Sequence, residues 1–302
     1  AADLLLHGDL DGAYRLYIWP FYSWLIAITV KVSGLDLETS AQILNTIFSA
    51  ALAFTFLTLV RDLGADRKTL LLAALVILFH PYINDSREEI IRDHGYWALY
   101  LLAVLWMFRY HRNPTWKYSI AWGISMAAAT LFRIEGLIFL FLLPMVLLVI
   151  PGQQQIPRAI RFVRANVVVL ILVALLATIM LLQPDLYAHW AGRLQEPGDR
   201  IYRLWNSLAA GLQQKADVVR SGVLSPWSDE YALPVIYAAL LVMVVDNVIR
   251  TLTPLYSILP FFPKLRARFN PPGGTVPIMV WLVVLNLSVV AVFLINEFFI
   301  SS

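Results

Sequence analysis

The sequence predicts an all-α integral membrane protein of about eight transmembrane helices, with juxtamembrane helices and one long outer loop. Three observations lead there. The chain is 60% hydrophobic with a mean hydropathy of +0.70, and only 14% of it is charged, against roughly 25% for an ordinary soluble domain. Eight apolar runs approach the roughly 20 residues that a helix needs to cross a hydrocarbon core of about 30 Å. The charges, finally, are sorted between the short loops that separate those runs. The net charge of +3 and pI of about 9.1 therefore reflect a positive-inside bias and not a nucleic-acid surface.

Taken in order, residues 1–17 read as an amphipathic or interfacial segment. No basic stretch, apolar run and small-residue cleavage site open the chain as a signal peptide would, and Ser301-Ser302 follow directly on an apolar run. The expectation is a fragment lacking material at both ends. From Trp19 to Val32, Pro20 and Lys31 interrupt a short apolar run in which Trp19, Phe21, Tyr22 and Trp24 form an interfacial aromatic pattern, so a juxtamembrane helix is predicted. The spans then fall at 41–61, 69–84, 95–109, 118–132, 136–150, 166–183, 232–250 and 276–297. As one continuous helix, 118–150 would be about 50 Å long and would place Arg133 and Glu135 deep in lipid, so a hairpin is expected. The turn Arg133-Ile134-Glu135-Gly136 then sits in a shallow recess. Residues 184–231 form the long hydrophilic loop, with Ile201, Leu204, Trp205, Leu208 and Leu212 at helical spacing for one amphipathic helix along the surface. The whole chain, 1–302, reads as one transmembrane domain, with 1–40 as an outer juxtamembrane loop.

Placing 19–32 on the surface sets the topology. The loops 61–68, 109–117, 151–165 and 250–275 then share one side, and with Asp246 near that end they hold 13 of the 23 Lys and Arg but three of the 20 acids. That side is expected to be the inner one, with both chain ends, the 81–96 segment and the 184–231 loop outside.

Between two apolar runs, the stretch Pro81 to Tyr96 carries Asp85, Arg87, Glu88, Glu89, Arg92 and Asp93. At about 2.5 to 3.5 kcal/mol per charge at a bilayer centre, these six belong at a membrane face. On the helix leading into 95–109, Glu89 and Asp93 are four apart, as are Glu88 and Arg92, so a carboxylate pair and an ion pair are expected on neighbouring faces. A carboxylate here can take a proton or hold a divalent ion, and Arg87 or Arg92 can bind a phosphate. The bland alternative is a solvated charged loop, which weighs more for Glu88 and Glu89 than for Arg92 and Asp93. Likewise Arg133 and Glu135 either pair with each other at the turn or hold a lipid phosphate in the recess.

Other chemistries find little support. With no cysteine there is no thiolate nucleophile, and the five histidines form no pair at metal-ligand spacing. Phosphate-cradling glycine loops, nucleophile elbows and short repeats are not visible. A secondary transporter or a lipid-linked-sugar flippase is the rival function, and it would call for ionisable groups near the bilayer midplane and paired repeats. A non-catalytic membrane scaffold is the third.

The order of features, however, is similar to one family. GDLDGAYRLYIWPFYSWLIAITVKVSG, the span entered by AQILNTIFSAAL, Arg92-Asp93 before a span, and LFRIEGLIFLFLLP resemble the GT-C superfamily of membrane glycosyltransferases, in the group of protein O-mannosyltransferases and aminoarabinose transferases. The resemblance covers most of residues 1–183. It implies a donor sugar on a polyprenyl phosphate, a protein, lipid or glycan acceptor, membrane lipids as surroundings, and transfer on the outer or periplasmic face of a bacterial inner (plasma) membrane. No cofactor is required, though the acids leave room for a divalent metal. The implied catalytic residues are Asp93, Arg92 and, in the first outer loop, Asp9 and Asp11. Tyr22 and Arg133, at positions matching the family's motifs, are the implied substrate-binding residues, with Arg87, Glu89 and Glu135 added as candidates from the charge pattern. The family's principal catalytic aspartate is expected upstream of Ala1.

Overall fold

A computed structural model describes residues 1–17, 19–87, 89–150, 156–182, 212–222, 224, 226–258 and 275–300. Among the described residues every regular element is helical. Two compact units are recognised: the first comprises the described residues of Ala1–Leu172 and Pro263–Leu282, the second those of Val173–Phe262 and Val283–Ser302.

The first unit begins with two short helices, α1 (Ala2–Leu6) and α2 (Leu10–Leu16), folded onto α3 (Phe21–Ser33) through Leu5, Ala13 and Ala27. Helix α3 coincides with the aromatic juxtamembrane run. At 13 residues it rises about 20 Å, short of a hydrocarbon core. Pro20 caps its start and Gly34, at φ +71°, ends it in the left-handed conformation that glycine tolerates. Helix α4 (Leu37–Asp62) starts at Asp36, whose carboxylate accepts the Thr39 amide, and α5 (Arg67–Phe79) starts at Asp66, which caps Thr69 in the same way.

The run 69–84, expected as one span, is divided. His80 is extended because it precedes Pro81, where the helical conformation is sterically disfavoured. A new short helix, α6 (Pro81–Ser86), begins at that proline. Helix α7 (Asp93–Arg112) and helix α8 (Trp116–Phe132) form an antiparallel pair, with Gly95 against Phe132 at one end and Trp106 stacked on Tyr118 at the other. The predicted break follows. Helix α9 (Gly136–Leu142), a 3-10 turn at Leu143–Met145 containing Pro144, and α10 (Val146–Val149) return toward α11 (Arg158–Ala165). The start of α8 and the end of α10 both meet α11: Ser119 bonds the Arg164 carbonyl, and Arg161 bonds those of Leu147 and Ile150. The 118–150 stretch is therefore a hairpin, as its length demanded.

Helix α12 (Val167–Leu182) leaves α11 at a bend of 55°. In the second unit, a helix over 212–222 (α13) packs through Ala216 on Ala232 and Ile236 of α14 (Ala232–Ile258). Helix α15 (Thr275–Ile300) runs through both units. Helices thus occupy all eight apolar runs. By length and apolarity Leu37–Asp62 and Ser228–Asn247 qualify as spans by themselves, and the bent α11–α12 pair as a third. The helix expected at 201–212 lies outside the described residues, apart from Leu212 in α13.

The first unit has two chemically different ends. At one, Asp62 of α4 pairs with Arg109 of α7 at 2.6 Å and its carbonyl accepts from Arg112, while Arg161 and Arg164 of α11 bond the carbonyls of Ile150 and Pro114. The opposite end brings together the start of α7, the end of α8, the start of α3 and the first half of α4.

Candidate active site

Three devices build that second end. Asn45, a buried amide in the first half of α4, accepts the Tyr22 hydroxyl at 2.6 Å and donates to the Glu89 carbonyl at 2.8 Å, so one side chain ties α3, α4 and the 87–92 loop together. His94, almost fully buried, holds the Ser86 carbonyl through Nε2 at 2.8 Å and locks α6 to the first turn of α7. Phe132, the last residue of α8, inserts its ring against Gly95 and is met edge-on by Phe21 and Phe48 at 5.1 and 5.2 Å. Beyond it Arg133 turns extended and ends α8. Gly136 then passes so close to Thr130 that a Cβ would lie 2.9 Å from the Thr130 Cα.

This folding places Arg133 between two carboxylates. Its Nε and Nη2 donate to Glu135 at 3.3 and 3.1 Å in a fork, while Nη1 donates to Asp93, 40 residues away in sequence. The Tyr96 ring lies 5.9 Å from the guanidinium carbon. The side chains of Arg133, Asp93 and Glu135 are 29%, 20% and 19% exposed, so the cluster is recessed but reachable. Burial disfavours the charge on Glu135, yet the Arg133 guanidinium outweighs it and holds the carboxyl below the usual carboxylate range. Burial also opposes the charge on Arg133, and the two carboxylates more than offset it, so its pKa is raised. Asp93 occupies the first turn of α7, where the unpaired amides favour a negative charge. Arg92 stands beside it with its guanidinium 5.4 Å from the centroid of the Tyr17 ring.

The expected residues divide into those the fold assembles and those it does not. Asp93, Arg92, Arg133 and Glu135 come together. Glu89 and Asp93 do not share a helix face, because α7 starts only at Asp93 and residues 89–91 are non-helical. The Asn45 amide captures the Glu89 carbonyl instead, leaving the carboxylate of Glu89 and the side chain of Arg87 on the exposed loop. Glu88 lies outside the described residues. Asp9 is exposed and caps α2, accepting the Gly12 amide at 2.8 Å, and Asp11 is exposed in the first turn of that helix. Since Tyr17 ends α2 beside Arg92, both acids lie back along α2 from the site, Asp11 by about 9 Å of helix rise. Tyr22 is buried, its hydroxyl is spent on Asn45, and burial pushes its pKa up to about 12. It acts here as a strut. Among the described residues no three His, Asp or Glu side chains converge where they could hold a metal ion.

Sequence reasoning passed over Asn45, Tyr17, Tyr96 and His94. Of these only Asn45 announced itself, as a lone amide inside an apolar span, where an unpaired polar group is costly.

Among the described residues the chain is all-helical, and the first unit carries a recessed, mixed-charge cluster at one end. The family model described as dolichyl-phosphate-mannose-protein mannosyltransferase matches residues 19–178. That is more than half of the chain, and the chain belongs to this family of integral membrane proteins. No curated protein matches it. No solved structure matches it either. The Asp93–Arg133–Glu135 cluster lies wholly inside the matched stretch.

Proposed function

We propose that the protein transfers a sugar, with mannose the first candidate, from a polyprenyl-phosphate carrier to an acceptor hydroxyl at the outer membrane face. The observation that carries this reading is the Asp93–Arg133–Glu135 cluster inside the family match. The outward orientation rests on the loop charges, and a protein acceptor on the family's description. In the reaction the bond between the anomeric carbon and the carrier phosphate oxygen breaks and a bond to the acceptor oxygen forms. The acceptor proton passes to the Asp93 carboxylate. The departing phosphate gains a negative charge that a nearby cation stabilises.

Arg133 is less suited to that last task than the sequence suggested. Three of its N–H groups already serve two carboxylates, which together outweigh its charge. It positions Asp93 and Glu135. Arg92, stacked on Tyr17 at the rim, is the better phosphate ligand, with exposed Arg87 on the same loop as a second.

The test is Asp93→Asn, assayed in membranes with polyprenyl-phosphate-linked radioactive mannose and a hydroxyl-bearing peptide. Transfer should fall at least about 100-fold with expression unchanged, as for loss of a general base. Activity close to wild type would remove Asp93 from the chemistry.

A further inference from the structure

The first unit holds a second polar feature, at the end opposite the Asp93 cluster, that glycosyl transfer does not use. Arg161 of α11 is 1% exposed. Its Nη2 donates to the carbonyls of Leu147 and Ile150, but Nε and Nη1 have no hydrogen-bond partner among the described residues. His111, at the end of α7, is also 1% exposed, and neither ring nitrogen has a hydrogen-bond partner among the described residues. Their helices meet where the hydroxyl of Tyr110, one residue before His111, donates to the Arg161 carbonyl at 2.8 Å, and burial, followed by the charge of Arg161, disfavours protonation of His111. An ionised side chain buried with open donors is strongly unfavourable unless an anion meets it.

The described part of this end offers no spare anion. Its acids are Asp62, which is paired with Arg109, and Asp66, which caps α5. Arg61, Arg112, Lys117, Arg158 and Arg164 add to the positive excess. Among the described residues of this end no acid is left for Arg161, and an anion from outside the chain would meet its open donors. Its source follows from α11. Ile160 and Val163, three apart on one face of this helix, are 51% and 55% exposed, while Arg161 points inward. From α11 the chain bends by 55° into apolar α12. A helix with its apolar face bare and leading into a span lies in the membrane interface, at headgroup depth.

We propose that Arg161 and His111 form a binding site for the phosphate of an anionic phospholipid at the basic end of the first unit. The guanidinium supplies two charge-assisted donors and a neutral imidazole a third. The surrounding cations draw the headgroup in.

Lipid retention by the full purified chain, followed by native mass spectrometry after exposure to an equimolar mixture of phosphatidylglycerol and phosphatidylcholine, tests this. The wild type should hold phosphatidylglycerol at least about 10-fold more tightly than phosphatidylcholine. Arg161→Gln should abolish the preference. Arg112→Gln, an exposed charge at the same end, should keep most of it. Equal retention of both lipids by the wild type would overturn the proposal, and so would a folded Arg161→Gln variant that still prefers phosphatidylglycerol. Complete displacement by excess inorganic phosphate would show a site for the free anion and refute the lipid. Should Arg161→Gln not fold, His111→Ala takes its place in the same comparison, and an unchanged preference there would equally refute the site.

Discussion

Replacing Arg133 by methionine keeps most of the side-chain length and removes the charge, leaving Asp93 and Glu135 facing one another across the recess. Breaking a buried ion pair costs about 3 to 5 kcal/mol. These carboxylates are 20% and 19% exposed, and water reaching them lowers the loss to about 3 kcal/mol. For a chain of 302 residues that corresponds to a fall in Tm of about 5 °C at neutral pH. The pH dependence gives a sharper test. In the wild type, Glu135 has a lowered pKa. Its contribution to stability is present above the unfolded value of about 4.3 and is lost as pH falls through the folded value. Without the cation, burial is left to raise the Glu135 pKa, so its contribution is present at low pH and lost as pH rises. The gap in Tm between the two proteins should therefore narrow as pH drops below about 5. Adding Asp93→Asn and Glu135→Gln to Arg133→Met should recover much of the loss at neutral pH. Thermal unfolding in detergent reads all three. A Tm for Arg133→Met within about 2 °C of wild type across this range would show that the cluster contributes no net electrostatic stability.

Three further outcomes are expected. Arg92→Gln should raise the donor concentration giving half-maximal transfer by roughly 10- to 150-fold, the loss of one charge-assisted contact, with less change in the maximal rate. Gly95→Ala should lower Tm, at a cost of about 1 to 3 kcal/mol, because its Cβ would strike the ring of Phe132; Gly222→Ala, with nothing within 4 Å of the added carbon, should leave Tm unchanged or slightly higher. Since the chain has no cysteine, Arg87→Cys and Arg112→Cys, both at exposed positions, report orientation directly: an impermeant thiol reagent should label the first and not the second in sealed, right-side-out cells.

Apolar runs and the punctuation between them were legible from the residues alone. Helices follow the runs because a backbone in lipid must satisfy itself, and the charges Arg133 and Glu135 forced the hairpin. Local rules also foretold the division at His80, since Pro81 stands next to it, but run length outweighed that signal in the reading. The candidate site was half legible. Asp93, Arg92, Arg133 and Glu135 stood out as charges against apolar sequence. That Arg133 would be shared by both carboxylates could not be read, because the contact with Asp93 spans 40 residues and depends on how α7 and α8 align. Asp9 shows the opposite error: an acid followed three residues later by the amide it caps is a local device, and its place in the chain made it look chemical. Tyr22 was expected to bind substrate, but its hydroxyl is taken by Asn45, 23 residues on, which nothing in its own segment shows.

Phe132 has a mechanical consequence that extends beyond its own contacts. Its ring sits against the bare backbone of Gly95, two residues past Asp93 and one before Arg133, and Trp106 on Tyr118 secures the other end of the same pair. Together these contacts work as a gauge block: sliding one helix along the other would drive the Phe132 ring into the Gly95 backbone and break the Trp106–Tyr118 stack. A bilayer that thickens or thins makes such helices tilt, and α7 and α8 then tilt as one piece. The spacing between the Asp93 carboxylate and the Arg133 guanidinium is thereby insulated from the thickness of the surrounding membrane, so the same charged geometry can operate in lipids of different chain length.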